Sequence, residues 1–216
     1  MVRTAFLGTP AVAVPTLSAL AGAQPVQAVF CNPDRPQGRG RHLEAPPVKA
    51  AARALGLSVH QPESWKLPET RSIWEAMEIE LAVVVAYGHI LPRWMLDSCP
   101  LGVWNLHFSL LPRWRGASPV NHAILMGDQE TGVSLMRITP GLDAGPVLAV
   151  SRRPILQSDT AEELLARLAE DAAKLLASEL PGLRAGTVMP HAQDDDLVTL
   201  APKLGREMAR LDFTRS

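Results

Sequence analysis

Short apolar runs alternate along this chain with stretches whose apolar residues return every three or four positions. The runs predict strands at residues 3–7, 26–31, 81–87, 103–107, 133–138 and 147–150. The stretches predict helices at 12–21, 48–55, 71–77, 119–126 and 161–180. Strands separated by helices imply an α/β protein: a mostly parallel, twisted sheet with helices on both faces. Val83, Val84 and Val85 form a β-branched run of the kind expected in a central strand buried on both sides. The last helix has the clearest signals. Thr160 and Glu163 form a capping box, and Leu164, Leu165, Leu168, Ala172, Leu175, Leu176 and Leu180 mark its apolar face. Pro181 and Gly182 are expected to stop it.

The chain has 216 residues, 47% hydrophobic and 20% charged, which excludes a disordered protein and suits one sizeable domain. A net charge of −1 means that any nucleic-acid contact must come from a local basic patch. Cys31 and Cys99 are the only cysteines and lie far apart, so both read as buried small hydrophobes in a reducing compartment. Residues 11–23 imitate a signal peptide, but Pro10 and Pro15 interrupt the run and only Arg3 supplies charge ahead of it. The longest apolar stretch, residues 81–91, falls short of the ~18 residues a membrane span needs. A cytoplasmic location is therefore expected. Three adjacent carboxylates, Asp194 to Asp196, cannot all face one ion, which favours a solvated loop over a metal site.

Candidate chemistry gathers in "NLHFSLLPRWRG", residues 105–116. Asn105 and His107 are two apart on a strand and so project from one face, with Leu106 turned the other way. Ligands of open α/β sheets bind beyond the carboxyl ends of the strands. An amide and an imidazole there offer a donor for a developing oxyanion and a general acid or base. The loop after the next strand, "TPGLDAGP", carries Asp143, which could orient His107, stabilise its imidazolium or accept a proton. Structural polarity at a strand end explains Asn105 and His107 equally well, and Asp143 could simply close an Asx-turn. Ser109 lacks the Gly-x-Ser-x-Gly elbow of a hydrolase nucleophile, the histidines lack zinc-ligand spacing, and "FLGTP" is not a dinucleotide fingerprint. No metal is expected.

Asn105-x-His107, "SLLP" at 109–112, Gly116 and Asp143 in "GLDAG" together resemble the folate-dependent formyltransferase family. "FLGTP", the block at 32–49 and "VVVAYGHILP" at 83–92 narrow the resemblance to members that formylate methionine carried on initiator tRNA. The resemblance implies a variant Rossmann fold, 10-formyltetrahydrofolate as formyl donor, and Asn105, His107 and Asp143 as the catalytic set. It implies a folate pocket lined by Tyr87, Gly88, Ile90, Leu91, Ser109, Leu110, Leu111, Pro112, Ile138 and Gly141. Arg35, Arg39, Arg41 and Lys49 in the basic block are then expected to contact tRNA phosphates, where a solvated loop would otherwise be the default. Phe108 stands where the family usually has a small residue, which questions the shape of the pocket. A barrel domain normally follows "LDF" in the family. Residues 1–186 are therefore expected to be the catalytic domain and 187–216 a linker towards a barrel absent from this chain, and a monomer is expected. The alternatives are a relative acting on a small amine or nucleotide sugar, a formyltetrahydrofolate hydrolase, or an RNA-binding module that keeps the fold.

Overall fold

The structure, a computed structural model, describes residues 1–37 and 42–205. The chain opens with β1 (Thr4–Gly8), α1 (Val14–Ala23) and β2 (Ala28–Phe30). Two short strands, β3 (Arg35–Gln37) and β4 (His42–Glu44), pair antiparallel and lead into α2 (Pro47–Ala54). Then come β5 (Val59–His60), α3 (Pro68–Ala76), β6 (Leu81–Val85), α4 (Arg93–Ser98) and β7 (Val103–His107). The remainder is α5 (Pro119–Leu125), β8 (Glu130–Arg137), β9 (Val147–Pro154) and α6 (Ala161–Ala185).

The main sheet has seven strands in the order β5-β2-β1-β6-β7-β8-β9. The first five are parallel, while β8 and β9 run antiparallel. Strand order reverses between β1 and β6, so the crevice at their carboxyl ends is the switch point where such sheets take ligands. The two-residue repeat sorts side chains onto two cores. Phe6, Val29, Val83, Val85, Leu106 and Leu135 face a core shared with residues of α1, α2, α5 and α6. Ala5, Leu7, Phe30, Ala82, Val84 and Val103 face a second core with Trp74 of α3 and Met95 of α4.

Several boundaries differ from the expectation for local reasons. The strand predicted to reach residue 87 ends at Val85, because Ala86 takes a left-handed backbone at φ 45°. Pro181 does not stop the last helix; α6 continues through it to Ala185. Proline forfeits one helical hydrogen bond, but Leu183 is fully buried and anchors the final turn, and Gly186 ends the helix at φ 67°. The edge strand β9 extends past 150 through "SRRP", whose side chains alternate between half-buried and exposed. Among the described residues no helix is long and apolar enough to cross a membrane.

The described part of the expected linker, residues 187–205, packs back onto the domain. His191 exchanges backbone hydrogen bonds with Val147, and Leu200 bridges Arg115 in parallel. Residues 187–201 thus form a strap across the loops that follow β7 and β8. The division at 186 consequently separates chain that is packed together.

The capping box of α6 is formed as expected, with Thr160 accepting from the Glu163 amide, and Leu176 is fully buried against α1 and the sheet. Replacing Leu176 with alanine is expected to cost about 2–5 kcal/mol of stability through the cavity it leaves. Urea unfolding followed by circular dichroism checks this.

Candidate active site

The repeat along β7 places Trp104, Leu106 and Phe108 in the core beneath α1, α5 and α6. Asn105 and His107 therefore point to the opposite face, the side covered further along the sheet by α3 and α4. Phe108 is 7% exposed and continues the alternation into that core, so it takes no space from a pocket beside His107. On the neighbouring strand, Met136 lies opposite Asn105 and Ser134 opposite His107. On the face of Asn105 and His107, the loops after β7 and β8 come beside this end of the sheet.

The 109–116 loop is closed by its own polar groups. The fully buried Ser109 donates from Oγ to the Arg113 carbonyl at 2.6 Å. Ser134 Oγ donates to the Ser109 carbonyl at 2.7 Å and accepts from the Leu111 amide at 3.0 Å. Arg113 makes a bidentate pair with Asp128, at 2.9 and 2.6 Å, and lies over the Trp114 ring. Trp114 Nε1 also donates to Asp128, whose carboxyl is held below the usual carboxylate range chiefly by its hydrogen bond from Arg113. Both arginines of the "RWR" triplet are thus engaged within the protein, since Arg115 bonds Gln193 and Asp195.

This packing sets the chemistry of His107. Its Nε2 lies 2.8 Å from the Trp114 carbonyl, and a carbonyl can only accept, so Nε2 carries a hydrogen. Nδ1 is left as the nitrogen that can take up a proton, and it faces Asp143 Oδ2 at 3.7 Å. The Trp114 carbonyl, rather than Asp143, selects the tautomer. Asp143 Oδ2 also accepts from the Gly116 amide at 2.9 Å. Because β8 is antiparallel to β7, it ends beside Trp104, and residues 138–143 must turn back along the sheet to deliver Asp143. Gly116 tolerates no side chain here: its φ is 128°, and a Cβ would sit 2.6 Å from the Ala201 carbonyl oxygen.

Asn105 is half-buried, and among the described residues its side-chain amide has no hydrogen-bond partner. The amide is therefore open to a ligand. Beside it, the loop after β6 carries Gly88 at φ 80°, with Ile90 94% exposed and Leu91 nearly buried. Leu110, Leu111, Pro112 and Ile138 are half-buried, and Gly141 is exposed. Tyr87 behaves differently from the lining role expected of it. Its ring is buried, and its hydroxyl accepts from Trp65 Nε1 at 3.1 Å, so its side chain belongs to the second core. Ser109 is likewise committed to closing its loop.

The basic block divides in two. Arg35 is exposed at the base of the β3–β4 hairpin; Arg39 and Arg41 lie outside the described residues. Lys49 leaves the expected RNA-facing set. Its side chain is 9% exposed, and its ammonium donates to both oxygens of Asp34 at 2.7 and 2.6 Å. Gln61 donates to Asp34 and to the Asn32 carbonyl. Nearby, His89 donates from Nε2 to Asn32 Oδ1 at 2.6 Å; burial, and secondarily Arg35, pushes its pKa below the ordinary histidine value. Both cysteines are buried, which pushes their thiols up to about 11.

Sequence reasoning passed over Ser134, Gln193 and Thr199, which hold the loops from outside the motif. Ser134 alone left a trace, as a hydroxyl among apolar residues in "VSLMR".

Residues 2–180 match the family model described as "Formyl transferase". The methionyl-tRNA formyltransferase of Halorhodospira halophila is 52% identical over 214 residues, covering 98% of this chain and 68% of the relative. That of Methylococcus capsulatus is 50% identical over 214 residues, covering 99% and 70%. Among solved structures, glycinamide ribonucleotide transformylase 1 from Symbiobacterium toebii superposes with a TM-score of 0.74 at 21% identity, covering 90% of this chain and 95% of that one. An N-formyltransferase from Helicobacter canadensis, in complex with folinic acid and dTDP-3-aminofucose, gives 0.72 at 20% identity, covering 94% and 71%. At these identities the two structures bear on the fold alone.

The Lys49–Asp34 pair predicts a pH effect. Asp34 is held below its ordinary value of 3.8, first by the hydrogen bond from Lys49 and next by that from Gln61. A depressed carboxylate contributes stability that is fully present above its unfolded value and lost as pH falls through the folded one. The Asp34→Asn variant should thus be less stable at neutral pH and lose less further stability on acidification below about pH 4. Thermal unfolding from pH 7 to pH 2 measures the difference.

Proposed function

The chain belongs to the formyl transferase family and, within it, to the methionyl-tRNA formyltransferases, and from that premise we propose how its residues carry the reaction. The enzyme transfers a formyl group to the amino group of methionine on initiator tRNA. A folate is the co-substrate, and we assign 10-formyltetrahydrofolate as the donor. The half-buried apolar residues Leu110, Leu111, Pro112 and Ile138, in the loops after β7 and β8, are the proposed lining beside the open Asn105 amide. Ile90, Leu91, Gly88 and Gly141 complete the lining, with Tyr87 and Ser109 contributing backbone and shape.

The donor brings a formyl carbon bonded to nitrogen; the acceptor amine forms a new bond to that carbon, and the old carbon–nitrogen bond breaks. Asn105 donates to the formyl oxygen as negative charge builds there. The incoming amine must shed a proton, and His107 Nδ1, backed by the Asp143 carboxylate, is the acceptor. Protonated at both nitrogens, the ring keeps its bond to the Trp114 carbonyl and gains an ion pair with Asp143. The same proton then passes to the departing nitrogen. The observation that carries this reading is the placing of the open Asn105 amide and His107 on one face, with Asp143 at 3.7 Å. Arg35, Arg39 and Arg41 are the proposed phosphate contacts; of these, Arg35 stands exposed at the start of β3, beside the Asp34–Lys49 pair.

With charged initiator tRNA and the formyl donor, Asn105→Ala is expected to lower kcat by about 10²-fold through loss of one oxyanion donor. His107→Ala should lower it by about 10²–10⁴-fold through loss of proton transfer. Arg35→Ala should raise KM for tRNA, most at low salt and less as salt rises, with kcat little changed. Single-turnover and steady-state formylation assays measure these effects. Formylation of an amino-sugar nucleotide in preference to charged tRNA would reject the acceptor assignment.

A further inference from the structure

Asp143 takes a backbone conformation that non-glycine residues rarely adopt, φ 45°, within a loop that must double back to reach His107. Such a turn persists only where surrounding groups hold it. Gln193, from the strap after α6, is the side chain that does so. Its Nε2 donates to the Asp143 carbonyl at 2.8 Å and to the Gly145 carbonyl at 2.7 Å. Its Oε1 accepts from Arg115 Nε at 3.0 Å. Arg115 is 9% exposed and is itself held by Asp195 at 3.1 Å.

The chemistry of that position is demanding. One side presents a guanidinium donor and the other two carbonyl acceptors, so the amide orientation is fixed. Both hydrogens of the NH2 group are used, one on each carbonyl. A carboxylate would satisfy Arg115 equally well but would set oxygen against two carbonyl oxygens. We propose that Gln193 is a positioning residue for the formyl transfer, clamping the Asp143 turn so that its carboxylate meets His107 Nδ1 and the Gly116 amide. This rests on the roles assigned to His107 and Asp143 under Proposed function.

The Gly116 amide donates to Asp143 Oδ2, so its hydrogen exchange reports whether the carboxylate is in place, with no need for turnover. The Ser118 amide donates to the Ala201 carbonyl and reports separately whether the strap is docked. In the full chain, Gln193→Ala and Gln193→Glu should both speed Gly116 exchange by about 10-fold or more, from loss of the bonds that hold the turn. Ser118 should keep its protection. Under formylation conditions kcat should fall by about 10-fold in both variants, with KM for tRNA little changed. If Gln193 served only to accept from Arg115, Gln193→Glu would match the parent in both readouts, and that result overturns the proposal. Joint loss of Ser118 and Gly116 protection would also overturn it, because the whole strap would then have come away. Unchanged kcat in both variants does the same. A parent chain that formylates no charged tRNA counts against the functional reading alone, and Gly116 exchange in the variants still decides the role of Gln193.

Discussion

Everything at the candidate site depends on the two-residue period of β7. Trp104, Leu106 and Phe108 are driven into the core beneath α1, α5 and α6, and burying each such side chain is worth roughly 1.5–3 kcal/mol. A slip of one residue would turn all three out of this core and Asn105 and His107 into it. The hydrophobic effect thus sets the register, and the register aims the amide and the imidazole. Phe108 belongs to this anchoring set, which explains a bulky residue next to His107.

The second constraint is the fate of the backbone where β7 ends. A loop that covers a sheet edge must satisfy its own carbonyls and amides. Here Ser109, Ser134 and Thr199 take up that burden, and the Trp114 carbonyl takes the Nε2 hydrogen of His107. Loop packing thereby decides which imidazole nitrogen is basic. A contact that looks merely structural thus leaves Nδ1 as the nitrogen that faces Asp143.

The periodicities of 2 and 3.6 were enough to read the parallel strands β1, β2, β6 and β7, the long helix and the shared face of Asn105 and His107. They did not reveal the two-residue edge strand β5, which is too short to show a period. Three further kinds of feature left no periodic mark. The direction of β8 is a matter of pairing, so nothing in "VSLMRI" said that its end would lie beside Trp104. Ion pairs chosen by the fold are equally silent: Lys49 sits in a basic block, yet it is Asp34, fifteen positions earlier, that claims it. The strap is polar and irregular, so the change of character after Gly186 looked like a connection leading away. Its contacts are backbone bridges and the Gln193 amide, which leave no periodic signature.

The positions of Lys49 and Gln193 show how one domain supports both a rigid centre and an exposed hairpin. At the hairpin base, a mostly buried ammonium, a carboxylate and the Gln61 amide tie Asp34 to α2 and β5. At that base Lys49 is paired inward while Arg35 is exposed. The same division recurs across the site, where Arg113 and Arg115 are spent on Asp128, Gln193 and Asp195 before any ligand arrives. Those two arginines beside His107 are therefore paired within the protein, while Arg35 at the hairpin base is exposed. A polyanion approaching the hairpin meets Arg35 exposed at its base, while the β7 end keeps the Asn105 amide open and His107 Nδ1 facing Asp143.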